Sequence, residues 1–186
     1  MTIDSATLVV AATRAEARYV PSGAQLLITG IGKVRAATAL ARALSAADAD
    51  RIRQVVNVGT AGALHDHHSD IFVPSAVIEH DISSAELTSM GFPMIDRWEL
   101  PGGDGSVLAS GDTFVADPVR RAELADRADL VDMEGCAIAY VSAEFGVPCR
   151  LVKVVTDGAD EGSMQDWPSF IDAGARRLGA WLAANA

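Results

Sequence analysis

Several short runs of this chain are apolar at almost every position rather than at every second one. They are TLVVAA at 7–12, LLIT at 26–29, VVNV at 55–58 and LVKVV at 151–155. A strand that is apolar on both faces must be covered on both faces, as happens when helices pack above and below a largely parallel sheet. Helical segments lie between these runs. After a tight connection at 30–33, Val34, Ala37, Ala41 and Leu44 recur on one helical face. The alternation predicts an α/β fold with a central mixed sheet flanked by helices.

Further along, 71–78 reads as a strand whose proline suggests an edge or a bulge. Residues 83–106 hold Gly91, Pro93, Pro101, Gly102, Gly103 and Gly105, and read as a long irregular loop. A strand is expected at 107–110, and a helix at 118–127 with Asp117 as its cap and Pro118 in its first position. A short strand begins at 130–131. A helix over 133–145 is stopped by Gly146 and Pro148, and a last helix covers 167–184 with Phe170, Leu178, Trp181 and Leu182 available for its apolar face. With 186 residues, the chain reads as one domain, 1–186.

Charge narrows the function classes. Twenty-five acidic against fifteen basic side chains give a formal charge of −10, which disfavours nucleic acid and anionic membranes as partners. No apolar run approaches the length of a membrane span. The N-terminus has no basic leader pattern, so the expected compartment is the cytoplasm. Cys136 and Cys149 read as buried thiols, with no disulfide framework or zinc spacing.

Candidate chemistry gathers where strands end. Gly30-Ile31-Gly32 opens a helix, but Arg35 stands where a dinucleotide fingerprint needs its third glycine. Gly59-Thr60-Ala61-Gly62 reads as a second small-residue turn after a buried strand, where a ligand can approach the backbone. Two such loops together fit a site at the carboxyl ends of strands. In Asp132-Met133-Glu134 the acids are either helix-start charges or carboxylates for sugar hydroxyls. Asp157 is either a turn former or a buried catalytic carboxyl; keeping an aspartic acid half protonated near pH 7 takes about 4 kcal/mol of environment. Glu16 by itself reads as a solvated helix-start acid. The His65–Asp70 cluster reads as a polar surface loop, and His80-Asp81 as a strand end.

Taken in order, TGIGKVRAATA (29–39), VVNVGTAGAL (55–64), EHD (79–81), LASGDTFV (108–115), VDMEGCAIAYVSAEFGVP (131–148) and VVTDGAD (154–160) resemble the purine nucleoside phosphorylase/nucleosidase superfamily, and within it the 5′-methylthioadenosine/S-adenosylhomocysteine nucleosidases. The stretches are collinear over nearly the whole chain. The resemblance implies a partly closed mixed sheet, a purine nucleoside as substrate, no metal or organic cofactor, and a homodimer. It gives Asp157 the role of general acid at purine N7 and Glu16 that of the base that activates water. It has Glu134 and Met133 hold the ribose hydroxyls, Phe114 and Val115 contact the purine, Thr60 help to position the nucleophile, and Trp167 lie over the 5′ substituent. Lys153 stands where the family commonly has an arginine, and is expected to bind substrate.

The resemblance also separates hydrolysis from phosphorolysis. Phosphorylases of this kind usually carry an arginine where this chain has Asn57, and a GxGGxS-like loop where it has GIGKVRAA. Hydrolysis is the expected reaction, with phosphorolysis or non-catalytic nucleoside binding as the alternatives. The chain departs from the family at Lys153, at Gly135 in place of the alanine of MEA, at Thr13, and in a shorter 82–106 region.

Overall fold

The computed structural model describes residues 3–46, 51–160 and 163–185, with side chains described outside 163–169. The apolar runs form the sheet. β1 (Thr7–Ala11) is buried at every residue and lies between β2 (Gln25–Ile28) and β3 (Gln54–Ala63), parallel to both. β9 (Cys149–Asp157) runs parallel to β3 along most of its length. Where β1 ends, β3 gains an antiparallel contact with β8 (Leu130–Asp132) through Gly62 and Ala63. From there the sheet continues through β7 (Val107–Ser110), β5 (Ala76–Glu79) and β6 (Arg97–Glu99), while β4 (Ile71–Phe72) pairs with β9. The expected mixed sheet is present.

Helices cover it as apolar strands require. α1 (Lys33–Leu44) and α4 (Gly135–Glu144) pack on each other and share a core with Val10, Val55, Leu108 and Leu151. On the opposite face α5 (Ser163–Asn185) lays Leu178 and Leu182 on Val9, Val56 and Val152. Leu64, Ala109 and Val131 form a third cluster with Leu124 of α3 (Pro118–Ala125). Asp117 caps α3 as expected, accepting a hydrogen bond from Arg120 N at 2.8 Å.

Several expectations are corrected. Of the expected face of α1, Leu44 is buried and Ala37 and Ala41 pack against the core, but Val34 is 75% exposed and the fully buried positions are Ala36 and Leu40. Gly59-Thr60-Ala61-Gly62 is no turn: β3 carries on through it, paired with Lys153–Asp157 of β9, and its register shifts only between Ala61 and Gly62. Pro74 divides 71–78 into two strands with different partners, β4 on β9 and β5 between β6 and β7. The 83–106 segment contains α2 (Ser84–Ser89) and β6, whose Trp98 packs on the core between exposed Arg97 and Glu99. Phe170 is 50% exposed rather than part of the apolar face of α5.

Candidate active site

The mutually parallel strands β1, β3 and β9, and β7 and β8, which are parallel to each other, deliver their carboxyl ends to one cavity of about 260 Å³, where ligands collect in open α/β sheets. It is lined by Thr13 and Glu16 after β1, Thr60 and Gly62 of β3, Phe114 and Val115 after β7, Met133 and Glu134 after β8, and Asp157 of β9. Ile31, from the loop before α1, completes the rim.

Glu16 is placed by a local device that its sequence reading missed. Thr13-x-x-Glu16 forms a reciprocal capping box. Glu16 N donates to Thr13 Oγ1 at 3.2 Å, and Thr13 N and Oγ1 donate to Glu16 Oε2 at 3.0 and 2.9 Å. This turns the carboxylate inward, where Oε1 accepts from Thr60 N at 2.9 Å and Thr60 Oγ1 at 3.0 Å. Glu16 is therefore buried and held at both oxygens, not solvated.

The two readings of Asp132-Met133-Glu134 divide between its acids. Asp132 is the helix-start acid: its Oδ2 and Oδ1 accept from Gly135 N at 3.0 and 3.2 Å. Glu134 does not cap α4. It faces the cavity and accepts from Gly32 N at 2.8 Å. Gly32 has φ +97°, and an added Cβ would meet Asp112 Oδ1 at 3.0 Å, so both backbone and space restrict this position to glycine. Burial first, and then the charge of Asp132, push Glu134 up to about 7, against the pull of Lys153 and Gly32 N.

Asp157 is half-buried at the end of β9. Its Oδ1 accepts from Ala159 N at 3.0 Å and its Oδ2 from Thr156 Oγ1 at 3.1 Å. Gly62 lies against it, since a Cβ there would stand 2.9 Å from Asp157 Oδ1. Phe114 is 38% exposed over the opening, and Val115 is buried beneath.

Lys153 does not line the cavity. Its ammonium is fully buried behind the wall and ion-pairs with Asp132 Oδ2 at 2.7 Å. Lys153 was expected to bind substrate; its side chain instead lies beside Gly59 and is not among the residues that line the cavity. The Trp167 side chain lies outside the described residues.

A polar bracket, unseen in the sequence, holds the rim. Lys33 Nζ pairs with Glu79 and Asp81, each at 2.6 Å. Lys33 N donates to Asp112 Oδ1, and Asp112 N to Asp81 Oδ2, each at 2.8 Å. Burial opposes the Lys33 charge, but hydrogen bonds to Asp81 and Glu79 outweigh it and hold its proton more tightly than in a free lysine.

A family model described as the Phosphorylase superfamily matches residues 9–97 and 106–184. The 5′-methylthioadenosine/S-adenosylhomocysteine nucleosidase of Shewanella sp. (strain MR-7) is 31% identical over 182 residues, covering 81% of this chain and 74% of that protein. The aminodeoxyfutalosine nucleosidase of Helicobacter pylori (strain J99) is 26% identical over 155 residues, covering 70% of this chain and 67% of that one. A Helicobacter pylori 5′-methylthioadenosine/S-adenosylhomocysteine nucleosidase crystallised in complex with a substituted pyrrolidin-3-ol superposes with a TM-score of 0.82 at 22% identity, over 96% of both chains. Fold, ordered motifs and matched relatives agree, and the chain belongs to the phosphorylase superfamily, on its nucleosidase side.

Proposed function

We propose that the protein hydrolyses the N-glycosidic bond of a purine nucleoside, with 5′-methylthioadenosine, S-adenosylhomocysteine or a related nucleoside as substrate. One observation carries the choice of water over phosphate. Glu16, Glu134 and Asp157 line the cavity, and no lysine or arginine does among the described residues. A phosphate dianion there would meet carboxylates without a counter-charge. Asn57, which replaces the family's phosphate-gripping arginine, is neutral and buried, and donates from Nδ2 to Val10 O at 3.0 Å.

In this mechanism the purine lies under Phe114, against the backbone of Val115. Glu134 and Met133 hold the ribose, with the Glu134 carboxylate accepting from its hydroxyls. Asp157 gives its proton to N7, the C1′–N9 bond breaks, and positive charge builds on the sugar. Water held by Glu16 and Thr60 adds to C1′ and passes its proton to Glu16. These steps need neither metal nor organic cofactor.

The decisive test is chromatographic detection of free base from 5′-methylthioadenosine, S-adenosylhomocysteine, adenosine and inosine, with and without phosphate. Equal release in both buffers is expected. Release only with phosphate would overturn hydrolysis, and release from none would leave nucleoside binding.

We also propose a homodimer in the cytoplasm. The resemblance to the nucleosidases supports the dimer, and Val34, Phe92 and Ile95, which are 75%, 64% and 71% exposed, are apolar side chains that a partner could cover. The cysteines are free and buried, as a reducing compartment keeps them. No helix among the described residues is long and apolar enough to cross a membrane. Sedimentation as a monomer at micromolar concentration would remove the dimer.

A further inference from the structure

Four charged groups share one desolvated region at the base of the cavity, none more than 8% exposed: Glu16, Asp132 and Glu134, which line it, and Lys153, which lies behind them. Three are acids and one is a cation. Only Glu16 and Glu134 have a place in the chemistry proposed above. The other two are engaged with each other. Lys153 Nζ lies 2.7 Å from Asp132 Oδ2. The remaining capacity of Asp132 is taken by Gly135 N at 3.0 and 3.2 Å and by the hydroxyl of Ser110. Asp132 is two residues from Glu134 on the strand-to-helix turn. Lys153 sits across Gly59 from the other acid: a Cβ on Gly59 would be 3.2 Å from Lys153 Nζ and 3.3 Å from Glu16 Oε1.

We propose that Lys153 and Asp132 are positioning residues, a buried ion pair at the base of the cavity that sets the charge state of Glu134. This rests on Glu134 and Glu16 acting as carboxylates in nucleoside hydrolysis.

Burying a lysine and an aspartate together carries a desolvation cost, and an apolar pair of similar volume would often serve stability as well. A pair placed for folding alone would gain nothing from standing beside two further acids. Its two members push Glu134 in opposite directions: the Asp132 charge favours the neutral acid, and the Lys153 charge favours the carboxylate. The other groups facing Glu134 are few. Glu16 favours its neutral form, and Gly32 N favours the carboxylate. Asp157 lines the same cavity. Cys136 keeps its proton because burial pushes the thiol far up. Lys33, next to Gly32, is spent on Glu79 and Asp81. Among the described residues, Lys153 is thus the cation beside the buried acids.

The test follows the Glu134 carboxyl by carbon NMR in protein labelled at glutamate, with its signal assigned by loss in Glu134→Gln. Lys153→Met is expected to move its midpoint up by about one pH unit, and Asp132→Asn to move it down by a similar amount. Lys153→Arg, which keeps the charge, is expected to leave it near its wild-type position. The acid limb of kcat/KM for base release should move in the same directions. A pair acting only in folding would lower Tm in both variants and leave both midpoints in place, which would overturn the proposal. Should Lys153→Met not fold, Asp132→Asn decides alone: a downward shift supports the pair and no shift refutes it. The NMR titration needs no turnover, so a wild-type protein that releases no base would overturn the proposed reaction while the electrostatic role is still measured.

Discussion

Asp157 and Glu16 illustrate how differently two acids can be written in a sequence. Asp157 ends an apolar strand, and a carboxyl in such a place invites a chemical reading. Glu16 lies in a polar stretch and invites the reading of a surface acid. Its inward turn comes from Thr13, three residues earlier, through a capping box that closes without a regular helix following it. That signal was available in the spacing, but the second half of the clamp, Thr60, comes from 44 residues away. Two outcomes follow at this scale. Asp157→Asn should lower kcat by about 10²–10⁴, the usual worth of a general acid, with Tm little changed. A variant with near-wild-type turnover would take Asp157 out of that role. Glu16→Gln should abolish hydrolysis but retain nucleoside binding by calorimetry. Loss of binding instead would make Glu16 a substrate-holding residue.

Among the elements, those with dense apolar runs were legible and those punctuated by small residues were not. β1 was foreseen nearly to its ends because five consecutive buried positions leave little alternative. β3 was cut short because Gly-Thr-Ala-Gly has the composition of a turn. Its pairing with β9 overrides that composition, and the small side chains instead make room for Glu16, Lys153 and Asp157. β6 was missed because three residues between prolines carry too little pattern, although Arg-Trp-Glu does alternate. The rim bracket joins α1, the end of β5 and the turn after β7 through Lys33 and Asp112. No single segment contains it, so no local pattern reveals it. Since Ile31 and Phe114 flank its members along the chain, Lys33→Met should let both rim segments move. KM is expected to rise roughly tenfold, equivalent to about 1.4 kcal/mol of binding, with kcat much less affected. Unchanged KM would show that the loops hold their positions without the bracket.

For the molecule as a whole, a cavity made of carboxylates sets function against stability. Glu134 titrates at about 7 in the folded protein, while a glutamate in an unfolded chain titrates near 4.3. Between those values the folded chain keeps a proton that the unfolded chain has released. The unfolded state then binds fewer protons, so this group's contribution to stability falls as pH rises from about 4.3 to about 7 and levels off above. That is opposite in sign to a carboxylate stabilised by a salt bridge. The penalty at neutral pH is on the order of a few kcal/mol, and bound ribose hydroxyls would offset part of it by supplying hydrogen bonds to the ionised form. Glu134→Gln keeps the shape and an acceptor for Gly32 N but removes the titration. The Tm difference between this variant and the wild type isolates the group, because the other acids titrate in both. The variant should gain on the wild type as pH rises from 4.5 to 7.5, by about 5 °C or more for a chain of this size, and gain no further at higher pH. A difference that stays flat across this range would mean that Glu134 ionises in the folded protein as easily as in water, and that holding it charged against the sugar costs the fold nothing.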